Sequence, residues 1–475
     1  MHNLNRNIKI LFCFFSILFF SLIAYLTYFQ LYEREKLITS SYSVYNRRLI
    51  EQEKKILRGS ILDRNGIVLA KSIIEADGSQ KREYLDGPAF AQVIGYSRRI
   101  YQQGNAGIEK AYDRELLGMV GNDPIIILRK LVLAKGQVGD NVYLTIDKTL
   151  QDLAYKEMEG KKGAVVALNP KTGEILAMVS TPSYDPNTLG ENWKEIMTSP
   201  DKVVLNRATQ GLYPPGSVFK IVTASAALTY KPELYNKTFN CKGYIIVDGN
   251  KISDYEGIAH GILDFKKAFY VSCNSAFIEI GLNVGSENLQ TMAYNFGLDR
   301  QVPLEIDTAK NQFPPLPTVG GKVALAETSI GQGKILVTPL TMALVASAVA
   351  NDGVIMKPYL MRYVVDPISC TVIEKSTPSQ YLNPISKEVA NTIKELTIGA
   401  VREGTGTAAQ IPGITVAGKT GTAENPHGKP HAWFVGFAPA ESPQIVVSVI
   451  VENGGAGGEV AAPIARDIIK AYLTK

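Results

Sequence analysis

Three short groups of residues in this chain have the types and spacing that acyl transfer needs. Ser217 and Lys220 stand three apart in LYPPGSVFKIVTASAAL, residues 212–228. Residues i and i+3 share a helix face, so the amine can reach the hydroxyl. It can act as a base if burial or a neighbouring cation strips its proton. Ser272 and Asn274 follow in VSCNSAFIEIGL, where a hydroxyl could pass a proton towards a leaving amine and an amide could hold a peptide-like substrate. The third group is Lys419-Thr420-Gly421-Thr422 in ITVAGKTGTAE. Lys419 would be the second cation, the lysine and threonine hydroxyls suit a carboxylate, and Gly421 admits a ligand to the backbone. The N–H groups of Thr422 and of Ser217, at a helix start, would form an oxyanion hole.

Each group alone has a plainer explanation. A serine opening a helix is commonly its N-cap, and Ser272 and Asn274 could be two capping residues. Each pattern also has a second copy. Ser199-Pro200-Asp201-Lys202 is polar, and its proline disfavours a helical residue before it. Ser286-Glu287-Asn288 reads as the N-cap of another helix. Lys171-Thr172-Gly173 falls in a hairpin turn ahead of either serine. Glu279 to Asn283 has the Glu-x-x-Leu-Asn form of a water-activating element, but lies inside an apolar helical run and is read as coincidence. The three chosen groups occur in order, each in fitting context, which makes their combination strong. It is the set shared by penicillin-binding proteins and class A β-lactamases.

Other chemistries are disfavoured. The four histidines form no His-Glu-x-x-His, and no Gly-x-Ser-x-Gly elbow occurs. Cys13, Cys241, Cys273 and Cys370 lie far apart without a Cys-x-x-Cys pair, so the spacing indicates neither a zinc site nor a disulfide framework. The net charge of +5 is mild and the basic residues are interleaved with acidic ones, which gives no case for nucleic acid.

Positioning these residues takes more than one folded unit, since 475 residues exceed the roughly 150 of a typical domain. Ile10 to Phe29 is twenty residues without a charge, long enough as a helix to cross a bilayer. Arg6 and Lys9 precede it and a mixed cluster, Glu33 to Lys36, follows. That asymmetry predicts an uncleaved anchor with a cytoplasmic N-terminus and the rest outside. Glu33 to Glu53 reads as a stalk. RGSILDRNGIVLA (Arg58 to Ala70) reads as two strands around an Asn-Gly turn. GNAGIEKAYDRELLG (Gly104 to Gly118) ends with helical spacing through Ile108, Tyr112 and Leu116. From Asp140 come a strand (NVYLTID), a helix (TLQDLAYKEME) and two strands (GAVVALNPKTGEILAMVS). A mainly helical stretch then runs to about Tyr363, before strands in ITVAGKTGTAE, HAWFVGFAP and IVVSVIVEN. A last helix places Ile464, Ile468, Ile469 and Tyr472 on one face. Strands at both ends of a helical middle predict an α+β fold, an antiparallel sheet flanked by helices with a helical subdomain.

The chain resembles the class B penicillin-binding proteins, the membrane-anchored D,D-transpeptidases of peptidoglycan synthesis, over nearly everything after the anchor. RGSILDRNG and GNAGIEKAYDRELLG look like their pedestal motifs. YPPGSVFK, SCN, IGQGKILVTPLTMA (Ile330 to Ala343), AGKTGTA and WFVGFAP look like their catalytic landmarks. The resemblance implies a penicillin-binding/β-lactamase-like transpeptidase domain over 140–475, preceded by a cytoplasmic tail (1–9), a transmembrane anchor (10–31) and a small α+β pedestal (32–139), short for the family. It implies Ser217 as acylated nucleophile, Lys220 as general base and Ser272 in proton transfer. Asn274, Lys419, Thr420, Gly421 and Thr422 would bind substrate. Stem peptides ending in D-Ala-D-Ala and β-lactams would be the ligands and a membrane-embedded SEDS-type glycan polymerase the partner, with no metal or organic cofactor. The alternatives are a D,D-carboxypeptidase or slow β-lactamase, or a non-catalytic β-lactam sensor or wall-binding scaffold.

Overall fold

The computed structural model describes residues 2–29, 56–97, 104–119, 137–317, 321–426 and 428–474; the stalk expected over Glu33 to Glu53 lies outside them. Helix α1 (His2–Tyr28) carries an apolar run over Arg6–Tyr28. Its 23 residues rise roughly 34 Å, enough for a hydrocarbon core of about 30 Å.

The body begins with β1 (Ile61–Leu62), β2 (Val68–Ile74) and β3 (Gln80–Tyr84). The turn between β1 and β2 forms because the Asp63 carboxylate accepts the N–H groups of Asn65 and Ile67, both at 2.8 Å. Gly66 there sits at φ +85°. Strand β4 (Asn141–Leu144), helix α2 (Lys148–Glu157) and strands β5 (Gly163–Leu168) and β6 (Ile175–Thr181) follow as the hydrophobic pattern predicts. Next come α3 (Lys220–Tyr230), the short pair β7 (Thr238–Cys241) and β8 (Gly261–Asp264), and helices α4 (Phe265–Tyr270), α5 (Asn274–Val284) and α6 (Pro339–Ala350). The chain closes with β9 (Met361–Val365), β10 (Val372–Lys375), α7 (Lys387–Glu403), β11 (Ala417–Ala423), β12 (His431–Ala438), β13 (Ile445–Val451) and α8 (Gly457–Leu473).

The central sheet is antiparallel with order β11-β12-β13-β5-β6. Successive residues of a strand face opposite sides, and here both sides are covered. Val165, Ala167, Val447 and Val449 pack with Ile464, Ile468 and Ile469 of α8. Ala164, Val166, Val446 and Ile450 belong to the other core, with α6. All twelve residues of α6 are buried, as expected of a helix apolar on every side. This double cover explains why β5, β6 and β13 are nearly continuous apolar runs rather than alternating ones.

A second sheet has the order β10-β9-β4-β1-β2-β3, with β1 and β4 parallel. One sheet therefore runs through the pedestal strands and β4, β9 and β10. Beneath it, Arg58 donates to Glu109 and Asp113 at 2.6 Å and Arg82 donates to Glu109 at 2.7 Å. Arg58, Arg82 and Glu109 are all buried.

Candidate active site

The turn carrying Ser217 is shaped by its glycines. Gly216 sits at φ +55°, open to glycine at little cost, and its N–H donates to the Gly331 carbonyl at 2.8 Å. Trp433 Nε1 donates to the Pro214 carbonyl at 3.1 Å. Ser217 then lies inside a 3-10 turn, Gly216–Phe219, whose N-cap is Pro215 and which runs into α3, whose N-cap is Phe219. The N-cap explanation thus fails: Ser217 occupies neither cap position, and the residue is partly exposed.

Lys220, one turn on, is fully buried. Its Nζ donates to the Ser272 carbonyl at 2.6 Å and to Asn274 Oδ1 at 2.7 Å, with Ser272 Oγ at 3.3 Å. Two acceptors use both N–H groups of a neutral amine and leave its lone pair for a hydroxyl. Among the described residues, no hydrogen bond joins Lys220 to Ser217. Lys419, also fully buried, donates to the same Ser272 Oγ at 2.8 Å and to the Thr420 carbonyl at 3.1 Å. One hydroxyl therefore bridges two lysines. Burial lowers the Lys220 ammonium from its ordinary value to about 8. Lys419 is pushed well below its ordinary value, by burial and then by the charge of Lys220. Burial is the leading cause for both lysines, and the repulsion between two neighbouring ammonium groups belongs to the pair.

Ser272 takes φ +59°, a left-handed conformation unusual for serine, which turns the chain into α5. Neither Ser272 nor Asn274 caps that helix; Cys273 does, its sulfur accepting the Ala276 N–H at 3.4 Å. Ser272 Oγ and Asn274 Oδ1 are left to the lysines, while Asn274 Nδ2 donates to the Ser253 carbonyl at 3.2 Å. Asp254, which the sequence did not single out, holds the junction: it is buried, and its carboxylate accepts the Asn274 N–H at 2.5 Å and the Ser275 hydroxyl.

Strand β11 forms the opposite wall at the sheet edge. A Cβ on Gly421 would lie 3.0 Å from Val218 Cγ1 and 3.1 Å from the Pro215 carbonyl. The close approach that Gly421 permits is thus that of the Ser217 turn, where the sequence reading expected a ligand. Thr420 shares a 2.5 Å hydrogen bond with Thr405, and Thr422 is half-buried beside Gly216, whose added Cβ would meet the Thr422 carbonyl at 2.8 Å.

The duplicate motifs are elsewhere. Ser199–Lys202 is a turn with Lys202 at φ +49°, and Lys171–Gly173 forms the β5–β6 turn. Ser286 opens its helix but Gly285 is the N-cap, and the Ser286 hydroxyl donates to the Pro317 carbonyl at 2.9 Å. Glu279 faces Lys237 at 3.9 Å on a half-exposed flank of α5. Donors able to hold a metal do converge, although the cysteine spacing gave no sign of it: Cys241, Asp254, His260 and Cys273 meet directly behind Ser272 and Asn274.

Residues 163–470 match the family described as penicillin binding protein transpeptidase domain, and residues 58–142 match the penicillin binding protein A dimerisation domain. The chain belongs to the class B penicillin-binding proteins. It is 36% identical to peptidoglycan D,D-transpeptidase PbpA of Mycolicibacterium smegmatis, covering 90% of this chain and 91% of that one. It is 31% identical to peptidoglycan D,D-transpeptidase MrdA of Acinetobacter baumannii, covering 84% and 67%. The structure of penicillin-binding protein A from M. tuberculosis as its imipenem acyl-enzyme complex superimposes with a TM-score of 0.83 at 35% identity, over 89% of this chain and 99% of that one. The expected α+β fold, an antiparallel sheet flanked by helices, is that of the penicillin-binding proteins.

Proposed function

We propose that this penicillin-binding protein is a peptidoglycan D,D-transpeptidase in which Ser217 is acylated by the penultimate D-Ala carbonyl of a stem peptide. Lys220, as the neutral amine, takes the hydroxyl proton while the Ser217 oxygen bonds to the carbonyl carbon. The N–H groups of Ser217 and Thr422 hold the oxyanion. Collapse breaks the amide bond, and the departing D-Ala amine receives the proton through Ser272 Oγ. An acceptor amine then reverses these steps and leaves a cross-link. Asn274 holds the peptide, and Lys419, Thr420 and Thr422 take the terminal carboxylate along the edge strand. A β-lactam would enter the same path, its ring amide opening on Ser217.

The observation that carries this reading is the single Ser272 hydroxyl lying between two buried lysine amines, at 3.3 and 2.8 Å. Glu279 engages Lys237, so its carboxylate supports no water attack, and the acyl-enzyme awaits an amine. The apolar helix with Arg6 and Lys9 before it supports a single-pass anchor with the N-terminus in the cytoplasm and the catalytic domain outside. The pedestal would dock a SEDS-type glycan polymerase. Product analysis with a D-Ala-D-Ala stem peptide and an acceptor amine tests the reaction: cross-linked peptide must exceed hydrolysed peptide. Hydrolysis alone would make the protein a carboxypeptidase, and a stable acyl-enzyme without turnover would make it a sensor.

A further inference from the structure

We propose that Trp433 is a positioning residue for Ser217: its indole N–H, donated to the Pro214 carbonyl, sets where the nucleophile turn stands against the edge strand β11. The inference rests on Ser217 as the acylated nucleophile. The need for such a residue follows from the sequence of the turn. Pro214 and Pro215 precede Gly216 and Ser217, and a proline has no N–H to donate. The backbone ties therefore lie on either side of them. Tyr213 exchanges hydrogen bonds with Val337, its N–H at 3.0 Å and its carbonyl at 2.9 Å, and the Gly216 N–H reaches the Gly331 carbonyl at 2.8 Å. Between these ties the two prolines can only accept. Among the described residues, the one side-chain donor they receive is Trp433 Nε1, at 3.1 Å.

Strand pairing and a missing side chain let the indole reach the turn. Trp433 pairs across the ladder with Gly421, and directly opposed residues share a face of the sheet. A Cβ on Gly421 would stand 3.0 Å from Trp433 Cβ, 3.0 Å from Val218 Cγ1 and 3.1 Å from the Pro215 carbonyl. The space a side chain at 421 would take thus lies between the tryptophan and the turn. Trp433 is fully buried, and a buried indole N–H without an acceptor is costly, so the bond to Pro214 also fixes the ring. Tyr213 supports it from the side. Its ring meets the indole edge to face, with centroids 6.2 Å apart at 80°. Its hydroxyl donates to Glu452 Oε1 at 2.7 Å, and Arg207 donates to the same oxygen at 2.8 Å. This run of contacts from Arg207 to Pro214 ends three residues before Ser217. A shift of the turn would move the nucleophile and one proposed oxyanion donor together, away from Lys220 and Thr422.

The test is penicillin acylation of the full-length protein in detergent, followed by rapid mixing so that binding is separated from the covalent step. Replacing Trp433 by β-(3-benzothienyl)alanine keeps the shape of the ring and removes its N–H. The covalent rate constant should fall about 10-fold or more, towards the roughly 100-fold that a misplacement of about 1 Å can cost. The dissociation constant of the non-covalent complex should move less than about 2-fold, as for a group that acts on the chemical step. The midpoint of the pH profile should stay at about 8, because Lys220 remains buried. The same replacement at Trp193, which packs on Tyr96, should leave both constants unchanged. Trp433→Phe should reproduce the loss, and the isosteric replacement decides the matter where that variant fails to fold. A wild-type covalent rate in the benzothienyl protein, whatever its melting temperature, would reduce Trp433 to core packing and overturn the proposal. An equal loss with Trp193 replaced would do the same. Wild-type protein that forms no adduct on Ser217 would count against the proposed reaction instead.

Discussion

At the scale of single residues, the proposed reaction depends on Lys220 being neutral. Burial brings its ammonium to about 8 from an ordinary value of 10.5, so the neutral base is abundant above about pH 8 and scarce below it. The acylation rate with penicillin should therefore climb as pH rises through about 8 and then level off. Lys220→Ala should lower it roughly 100- to 10,000-fold, the usual worth of a positioned base. A flat pH profile with the lysine present would remove its role. The motif letters and their order were legible in the sequence, because helix and strand spacing restrict where side chains project. Asp254, Cys241 and His260 were not. Each comes from a loop or strand end, and only the tertiary path of the β7–β8 excursion brings them to Cys273.

At the scale of elements, the site is made by a turn and an edge strand pressed together through glycines. A Cβ on Gly421 would meet Val218 and Pro215 at 3.0–3.1 Å, and one on Gly331 would lie 2.1 Å from the Gly216 carbonyl, with Gly331 at φ +74°. Gly421→Ala should displace the Ser217 turn, and a misplacement of about 1 Å can cost roughly 100-fold in rate; Gly331→Ala should cost more and also lower the melting temperature. Gly78→Asn, at a turn with nothing within 4 Å, should leave acylation unchanged. Penicillin acylation rates and thermal melts check all three. Longer elements were readable from periodicity, as in α8 and β13. The pair β7 and β8 was missed inside a stretch read as mainly helical, since each strand has four residues and buries only two of them in β7 and one in β8. The N-cap of α5 was also hidden, because a cysteine performs it.

At the scale of the whole molecule, the pedestal is continuous with the second sheet and closed by a buried ion network. Arg58 lies in RGSILDRNG and Glu109 in GNAGIEKAYDRELLG, and the fold pairs and buries them. Breaking one side leaves an uncompensated buried charge worth about 3–5 kcal/mol. Glu109→Ala should accordingly be detected first as a fall in unfolding free energy by urea titration, so that a partner's docking is better probed at exposed Ile74. An unchanged stability would show that the network is not structural. The proposed reaction stands on one covalent bond, and intact-mass spectrometry with peptide mapping of the penicillin-treated chain tests it most directly. The expected result is a single adduct on Ser217 that Ser217→Ala abolishes and Ser199→Ala retains. An adduct elsewhere, or labelling that survives Ser217→Ala, would contradict it.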